Sequence, residues 1–124
     1  MVLDYGDTAA ALATRGPRQW IRTYRSHQRG GDPLSDLGRQ DVTCEVAIDQ
    51  LLVHRPPSQV MTQAEFLTAH GIGDLVAEGR QVWSERGHIG DLEAIRARSR
   101  VGEAEALMDP AGLGAFATLV WRRT

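Results

Sequence analysis

The feature that most restricts the fold is the first apolar run, which leads directly into an acid, a phenol and a glycine: Val2-Leu3-Asp4-Tyr5-Gly6. Such a run is typical of a buried strand in a parallel sheet, at the point where the strand meets its C-terminal loop. We therefore predict an inner strand here. At the start of a domain its edge would expose unpaired backbone unless another segment covered it.

The remaining sequence alternates between helical and strand-like patterns. Thr62-Gln63-Ala64-Glu65 has the spacing of a capping box, and Asp91 can cap a later helix in which Leu92, Ile95 and the nearby alanines form a modest apolar stripe. The order of elements predicts a mixed α/β fold with helices packed on a sheet. Predicted helices cover 9–13, 48–53, 63–70, 72–86 and a segment after 91; predicted strands cover 2–6, 20–24, 41–46 and 116–121; 26–40 is predicted to be a long loop.

The strand predicted over 41–46 alternates apolar and polar residues. Val42, Cys44 and Val46 are expected on one face, while Asp41, Thr43 and Glu45 share the other. We interpret Cys44 as a small buried hydrophobe, because nothing places a histidine base beside it as a cysteine nucleophile requires.

Composition excludes several functional classes. The net charge of −2 argues against a nucleic-acid binder, and no apolar run approaches the ~20 residues that span a bilayer. All 14 basic residues are arginine, which indicates coding bias in a high-GC bacterium. The single cysteine forms no internal disulfide, so we expect a cytoplasmic protein.

Two further patterns are weak. Gly112-Leu113-Gly114 begins a formal dinucleotide-binding match, but a strand is predicted after it where the phosphate-binding motif needs a helix. His27, Asp32 and Asp41 are metal-ligand residue types without diagnostic spacing, so we predict no metal site.

An ordered series of short motifs resembles the C-terminal part of the MidA-like family of class I SAM-dependent methyltransferases. The motifs run over nearly the whole chain: Asp4-Tyr5-Gly6, Tyr24-Arg25-Ser26-His27, Asp32-Pro33-Leu34, Gly38-Arg39-Gln40-Asp41-Val42-Thr43, Thr62-Gln63-Ala64-Glu65-Phe66-Leu67 with Gly71, and Gly114-Ala115-Phe116. The chain departs from the family at Glu45, where members often have histidine, and at Ala47-Ile48, where they have Asp-Phe.

The resemblance implies an α/β fold: the C-terminal portion of a Rossmann-like methyltransferase sheet with flanking helices. Residues 1–124 would be a single partial domain, the C-terminal segment of a methyltransferase domain. Full-length members use S-adenosyl-L-methionine (SAM), bound by a glycine-rich loop that this chain lacks, so we expect no SAM binding by the chain alone. The methyl acceptor would be unknown, with a protein as one possibility.

Substrate-side candidates are Asp4, Tyr5, His27 and Asp41, supported by Thr43 and Gln63, because ligands of open α/β sheets bind beyond the carboxyl ends of strands. An equal alternative has Asp4 accepting hydrogen bonds from the next helix while Tyr5 packs. The enzyme-segment hypothesis has a rival: a non-catalytic partner-binding module derived from a truncated methyltransferase fold. Either could form a homodimer or pair with a missing N-terminal half through the exposed edge of residues 2–5.

Overall fold

The computed structural model describes residues 1–122 and confirms the predicted mixed α/β class, with six α-helices in this part of the chain. The chain divides into two compact units. One contains residues 1–3 and everything described from Ser58 onward; the other is Asp4–Pro57. None of the helices described is both long and apolar enough to cross a membrane.

The Asp4–Pro57 unit is built from short elements around two small sheets. β3, β4 and β5 form an antiparallel sheet in the order β4-β3-β5, and β2 pairs with β6 in parallel. The bounds are β2 Gly6–Asp7, α1 Ala9–Thr14, α2 Pro17–Trp20, β3 Ile21–Arg25, β4 Gln28–Arg29, β5 Asp41–Cys44, β6 Val46–Ala47 and α3 Ile48–His54.

Local chemistry explains how α1 and α2 begin. The Thr8 hydroxyl accepts a hydrogen bond from the Ala11 amide at 3.1 Å, and so caps α1 as the sequence allowed. Pro17 then starts α2, where its fixed φ suits a first helical turn. The strand predicted from Trp20 therefore begins one residue later, at Ile21. A four-residue helix is too short to show a period in the sequence, which is why α2 was not predicted.

The other unit places a helix pair beside a three-stranded sheet with the order β1-β8-β7. The central strand, β8, carries the fully buried Leu119 and Thr118. The bounds are β1 Val2–Asp4, β7 Gln59–Thr62, α4 Gln63–Ala69, α5 Ile72–Arg86, α6 Leu92–Met108, a 3₁₀ turn Leu113–Ala115 and β8 Ala117–Val120.

The first apolar run is divided rather than continuous. Its first half is β1, an edge strand whose Val2 and Leu3 side chains are each 41% exposed. Its second half begins at Gly6 as β2, which pairs with Val46 in a different sheet. The single strand predicted over residues 2–6 is thus wrong in its continuity, because the backbone leaves one sheet at Tyr5 and enters another.

Two predicted apolar faces are buried only in part or not at all. Val42 is 56% exposed and Cys44 is exposed, so Cys44 is not the buried hydrophobe predicted; no helix of the described residues makes extensive contact with β5 and covers this face. In α6, Leu92 and Ile95 are exposed. The alanines of the predicted stripe are its buried part, with Ala94, Ala97 and Ala104 facing inward, because only small side chains let α5 and α6 approach closely.

The capping box at the start of α4 is confirmed in both directions. The Thr62 hydroxyl accepts from the Glu65 amide at 3.1 Å, and the Glu65 carboxylate accepts from the Thr62 amide at 2.7 Å. The hydrogen bonds from the Thr62 amide and hydroxyl hold the pKa of Glu65 below its ordinary value. Both groups therefore stabilise the first turn of α4 at neutral pH.

Thr62→Ala is expected to lower the free energy of unfolding by about 1 kcal/mol, because the Glu65 amide loses its acceptor. Urea unfolding followed by circular dichroism measures this change. Thr68→Ala is the control: Thr68 lies in the same helix and is exposed, with its hydroxyl bonded only to the Ala64 carbonyl. Equal losses in the two variants would contradict the cap.

Candidate functional site

One face of the antiparallel sheet collects several of the predicted site residues. Tyr24 of β3 lies opposite Asp41 of β5, and Arg22 lies opposite Thr43. Directly opposed residues share a face, and residues two apart on a strand share it too. The structure therefore brings Asp41 and Thr43 onto one face, as the alternation of β5 predicted.

Tyr5 packs against a cation of this sheet. The Arg22 guanidinium carbon lies 5.2 Å from the centroid of the Tyr5 ring, within the range of a cation–π contact. The Tyr5 carbonyl accepts from the Val46 amide at 3.1 Å, which fixes the backbone beneath the ring. The Tyr5 side chain therefore lies beside Arg22, the β3 residue that is paired with Thr43 of β5.

Asp4 does not accept the hydrogen bond from the next helix that was one of its two predicted roles. Its carboxylate accepts a hydrogen bond from the adjacent Tyr5 amide at 2.9 Å. The amide of Ala9, at the start of α1, donates instead to Asp49 at 2.8 Å. Asp4 therefore shapes the turn at which the chain changes sheets, while Asp49 serves the helix.

An acid that sequence reasoning did not select lies at the centre of the charged residues. The Glu45 carboxylate is 11% exposed and accepts from both terminal nitrogens of Arg15, at 2.7 and 3.4 Å. Arg22 adds a third contact at 3.4 Å, and Asp7 lies 3.5 Å from Arg15. We call Glu45, Arg15, Arg22 and Asp7 the Glu45 cluster. A carboxylate buried to this degree requires cationic partners, and the bidentate arginine fork is the strongest of them.

Two polar atoms in or beside the Glu45 cluster have no hydrogen-bond partner among residues 1–122. They are the Thr43 hydroxyl and the Arg15 Nε, each shielded from solvent. Buried polar groups in native proteins are nearly always paired, so an orphan needs an explanation. A ligand oxygen that reached the Thr43 hydroxyl would supply it with a hydrogen-bond partner.

His27 and Gln63 are not brought to this face. His27 is exposed in the turn between β3 and β4, with a φ of 64°. Gln63 belongs to the other compact unit, where its side-chain amide donates to the Leu107 carbonyl at 2.8 Å. Gln63 is 5% exposed, so it joins α4 to the end of α6 rather than facing solvent.

Neither turn that could be compared with a SAM loop fits that cofactor. At the start of α1, Thr8 and Asp49 already accept from the Ala11 and Ala9 amides. In the second turn, the Gly112 and Gly114 amides both donate to the Asp109 carbonyl, and a strand follows. These amides are therefore not available to a cofactor in either turn.

Metal ligation was not predicted, and His27, Asp32 and Asp41 do not form a metal site in the structure. Among the residues described, no group of three or more His, Cys, Asp or Glu side chains could hold a metal ion. The Asp32 carboxylate instead accepts hydrogen bonds from the Leu34 amide and from the Arg18 guanidinium, and both bonds lower the pKa of Asp32.

Comparison with known proteins gives one informative similarity. No family model matches the chain, and no curated protein sequence matches it. The chain is similar to the crystal structure of an uncharacterized ACR, COG1565 superfamily protein from Burkholderia thailandensis, with a TM-score of 0.67 and 27% sequence identity. The match covers 98% of this chain and 32% of that protein, so the chain spans about a third of its length.

Proposed function

We propose that this chain is the C-terminal segment of a SAM-dependent methyltransferase domain of the MidA-like type, acting in the cytoplasm. The observation that carries the proposal is the structural match over 98% of the chain to a COG1565 protein, the superfamily that contains the MidA-like proteins. The ordered motifs from Asp4-Tyr5-Gly6 to Gly114-Ala115-Phe116 support the same family. SAM would be held by the part of the domain that this chain does not supply.

Within that domain, the face beside the Glu45 cluster would hold the methyl acceptor, a group with a nucleophilic atom such as a protein side chain. Tyr5, Asp41 and Thr43 offer hydrogen-bonding groups there, and Arg22 offers positive charge. Holding an acceptor in line with a reacting group lowers the barrier by orienting it before reaction. The residues of this chain would orient the acceptor, and none of them is assigned a covalent step.

The test reconstitutes the domain. This chain is co-expressed with the part of the Burkholderia thailandensis protein that it does not match. The complex is then assayed for SAM binding by calorimetry and for transfer of labelled methyl groups to a cell extract. We expect the complex to bind SAM and transfer methyl groups, and this chain alone to do neither. Micromolar SAM binding by this chain alone would contradict the division of roles.

Thr43→Val tests the acceptor site without disturbing the fold. The change is close to isosteric and removes a hydroxyl that has no partner among residues 1–122, so folding should lose nothing. If the hydroxyl bonds the acceptor, methyl transfer by the complex should fall about tenfold, the value of one hydrogen bond.

Thr118→Val is the matched control, because the Thr118 hydroxyl is also buried without a partner among the described residues, but lies in the other unit. We expect no change in methyl transfer. Equal activity in both variants would remove Thr43 from the site while leaving the family assignment intact.

A second candidate function is favoured by the edge strand β1. Val2 and Leu3 are both 41% exposed at the edge of a three-stranded sheet, and such edges accept a further strand from a partner. The chain would then be a non-catalytic binding module, as a homodimer or with a separately encoded partner. A reconstituted complex that forms stably but neither binds SAM nor transfers methyl groups would favour this function.

A further inference from the structure

The loop that follows β4 is held in a single shape by its own polar groups. The Gln40 side-chain amide donates to the carbonyls of Ser35 at 2.6 Å and Asp32 at 3.0 Å. The Thr23 hydroxyl donates to the Gly31 carbonyl at 3.0 Å, and Thr23 itself is 2% exposed. A loop with this many internal bonds is ordered before any ligand arrives, which reduces the entropy cost of binding.

A cavity of about 230 Å³ lies between this loop and the end of the β4-β3-β5 sheet. Three arginines line it, each from a different element: Arg18 from α2, Arg22 from β3 and Arg29 from β4. Asp32 is the one carboxylate among the lining residues, and the Gly30–Gly31 backbone completes the lining. We call this cavity the Arg29 pocket.

The close approach of the loop to β3 requires a glycine at position 30. A Cβ at Gly30 would lie 2.6 Å from the Thr23 hydroxyl oxygen and 3.3 Å from the Gln40 side-chain oxygen. A side chain there would push the loop away from the strand. A Cβ at Gly31 would meet nothing within 4 Å, so that residue faces open space.

The positive charges of the pocket are not fully neutralised by protein groups. Arg18 pairs with Asp32 at 2.9 Å, and Arg22 contacts Glu45 at 3.4 Å. Arg29 makes no ion pair and no side-chain hydrogen bond with any residue in the described range 1–122. One full positive charge therefore remains for a ligand.

We propose that the Arg29 pocket binds the phosphoryl group of a small molecule, either as free phosphate or as a phosphate monoester. Arginines that line one cavity from three elements suit a tetrahedral dianion, whose oxygens point in several directions. A planar monoanionic carboxylate would be satisfied by a single arginine fork. The proposal does not rest on the methyltransferase assignment, because phosphate binding is measured on this chain without SAM or an acceptor, although Arg22 lines the pocket and also contacts Glu45.

The test is a titration of the full chain with inorganic phosphate, with glycerol phosphate and with acetate, at constant ionic strength so that general screening does not change. Amide shifts in NMR spectra report binding at Gly31. We expect saturable binding of both phosphates, shifts centred on Gly30 and Gly31, and no saturable binding of acetate. Binding of glycerol phosphate but not free phosphate would assign the pocket to monoesters; the reverse would assign it to the free ion.

Arg29→Gln should weaken phosphate binding about tenfold, the value of one charge-assisted hydrogen bond. Arg39→Gln is the matched control: it removes the same charge from an exposed position in the loop that follows β4, but Arg39 does not line the cavity. We expect less than about a twofold effect there, because only general electrostatics change.

The proposal is overturned by equal effects of the two variants, by equal binding of acetate, or by no saturation below roughly 10 mM phosphate. Circular dichroism confirms that each variant is folded.

Discussion

Replacing Glu45 with glutamine is expected to lower the stability of the Asp4–Pro57 unit by about 2 kcal/mol. The carboxylate is 11% exposed and holds Arg15 through two contacts, with Arg22 as a third partner. Glutamine keeps the shape but removes the charge, so Arg22 loses the carboxylate that it contacts and Arg15 keeps only the more distant Asp7, at 3.5 Å. Fully buried pairs lose roughly 3–5 kcal/mol when one partner is removed, but the two arginines here are about one-third exposed and solvent compensates part of the loss.

Amide hydrogen exchange read residue by residue measures this loss, because it reports the Asp4–Pro57 unit separately from the other unit. Asp36→Asn is the control in the same unit. Asp36 pairs with Arg25 at 3.2 Å, but both side chains are more than half exposed, and such surface pairs contribute at most about 1 kcal/mol. If β3 and β5 amides exchange equally fast in both variants, the Glu45 cluster does not stabilise the unit.

Gly79→Leu is expected to destabilise the α5–α6 pair by about 3 kcal/mol. Gly79 is buried where the two helices meet, and a Cβ there would lie 3.0 Å from the Ala97 carbonyl oxygen and 3.3 Å from the Val101 side chain. Leucine would force the helices apart and break the contacts of the small residues of α6. Its better helix propensity returns only about 0.8 kcal/mol.

Gly73→Leu is the control in the same helix, because it changes the helix propensity without creating a clash with α6. A Cβ at Gly73 would meet nothing within 4 Å, so leucine there should stabilise α5 by roughly 0.5–1 kcal/mol. Urea unfolding followed by helical circular dichroism measures the change in both variants, because α5 and α6 are the longest helices of the described residues. A Gly79→Leu protein as stable as the original would show that α5 and α6 are not packed closely at this position.

The starts of helices were predicted correctly where the capping groups lie within one helical turn of each other. The Thr62–Glu65 capping box and the Asp91 cap each depend on groups three residues apart, and both form as predicted. The long helix from Ile72 was found from its apolar period. The substrate-side set was only partly assembled: Tyr5, Asp41 and Thr43 share a region around the β3–β5 sheet, whereas His27 and Gln63 do not join it.

Glu45 was missed as a site residue because its partners are distant in sequence. The apolar–polar alternation of residues 41–46 gave no signal that Arg15 and Arg22, 30 and 23 residues earlier, would contact the Glu45 carboxylate. The same reason accounts for the wrong faces. Which side of a strand or helix is buried depends on the neighbour it meets, and Val42, Leu92 and Ile95 lie where no neighbour covers them.

The sequence by itself determined the α/β class, the principal helices and their caps, because these depend on interactions within about four residues. Only the tertiary structure decided that the run from Val2 to Gly6 serves two sheets, that the alanines but not Leu92 or Ile95 of the predicted stripe of α6 are buried, and that Glu45 contacts two arginines. Those outcomes depend on long-range pairings, such as Gly6 with Val46, which no local pattern encodes.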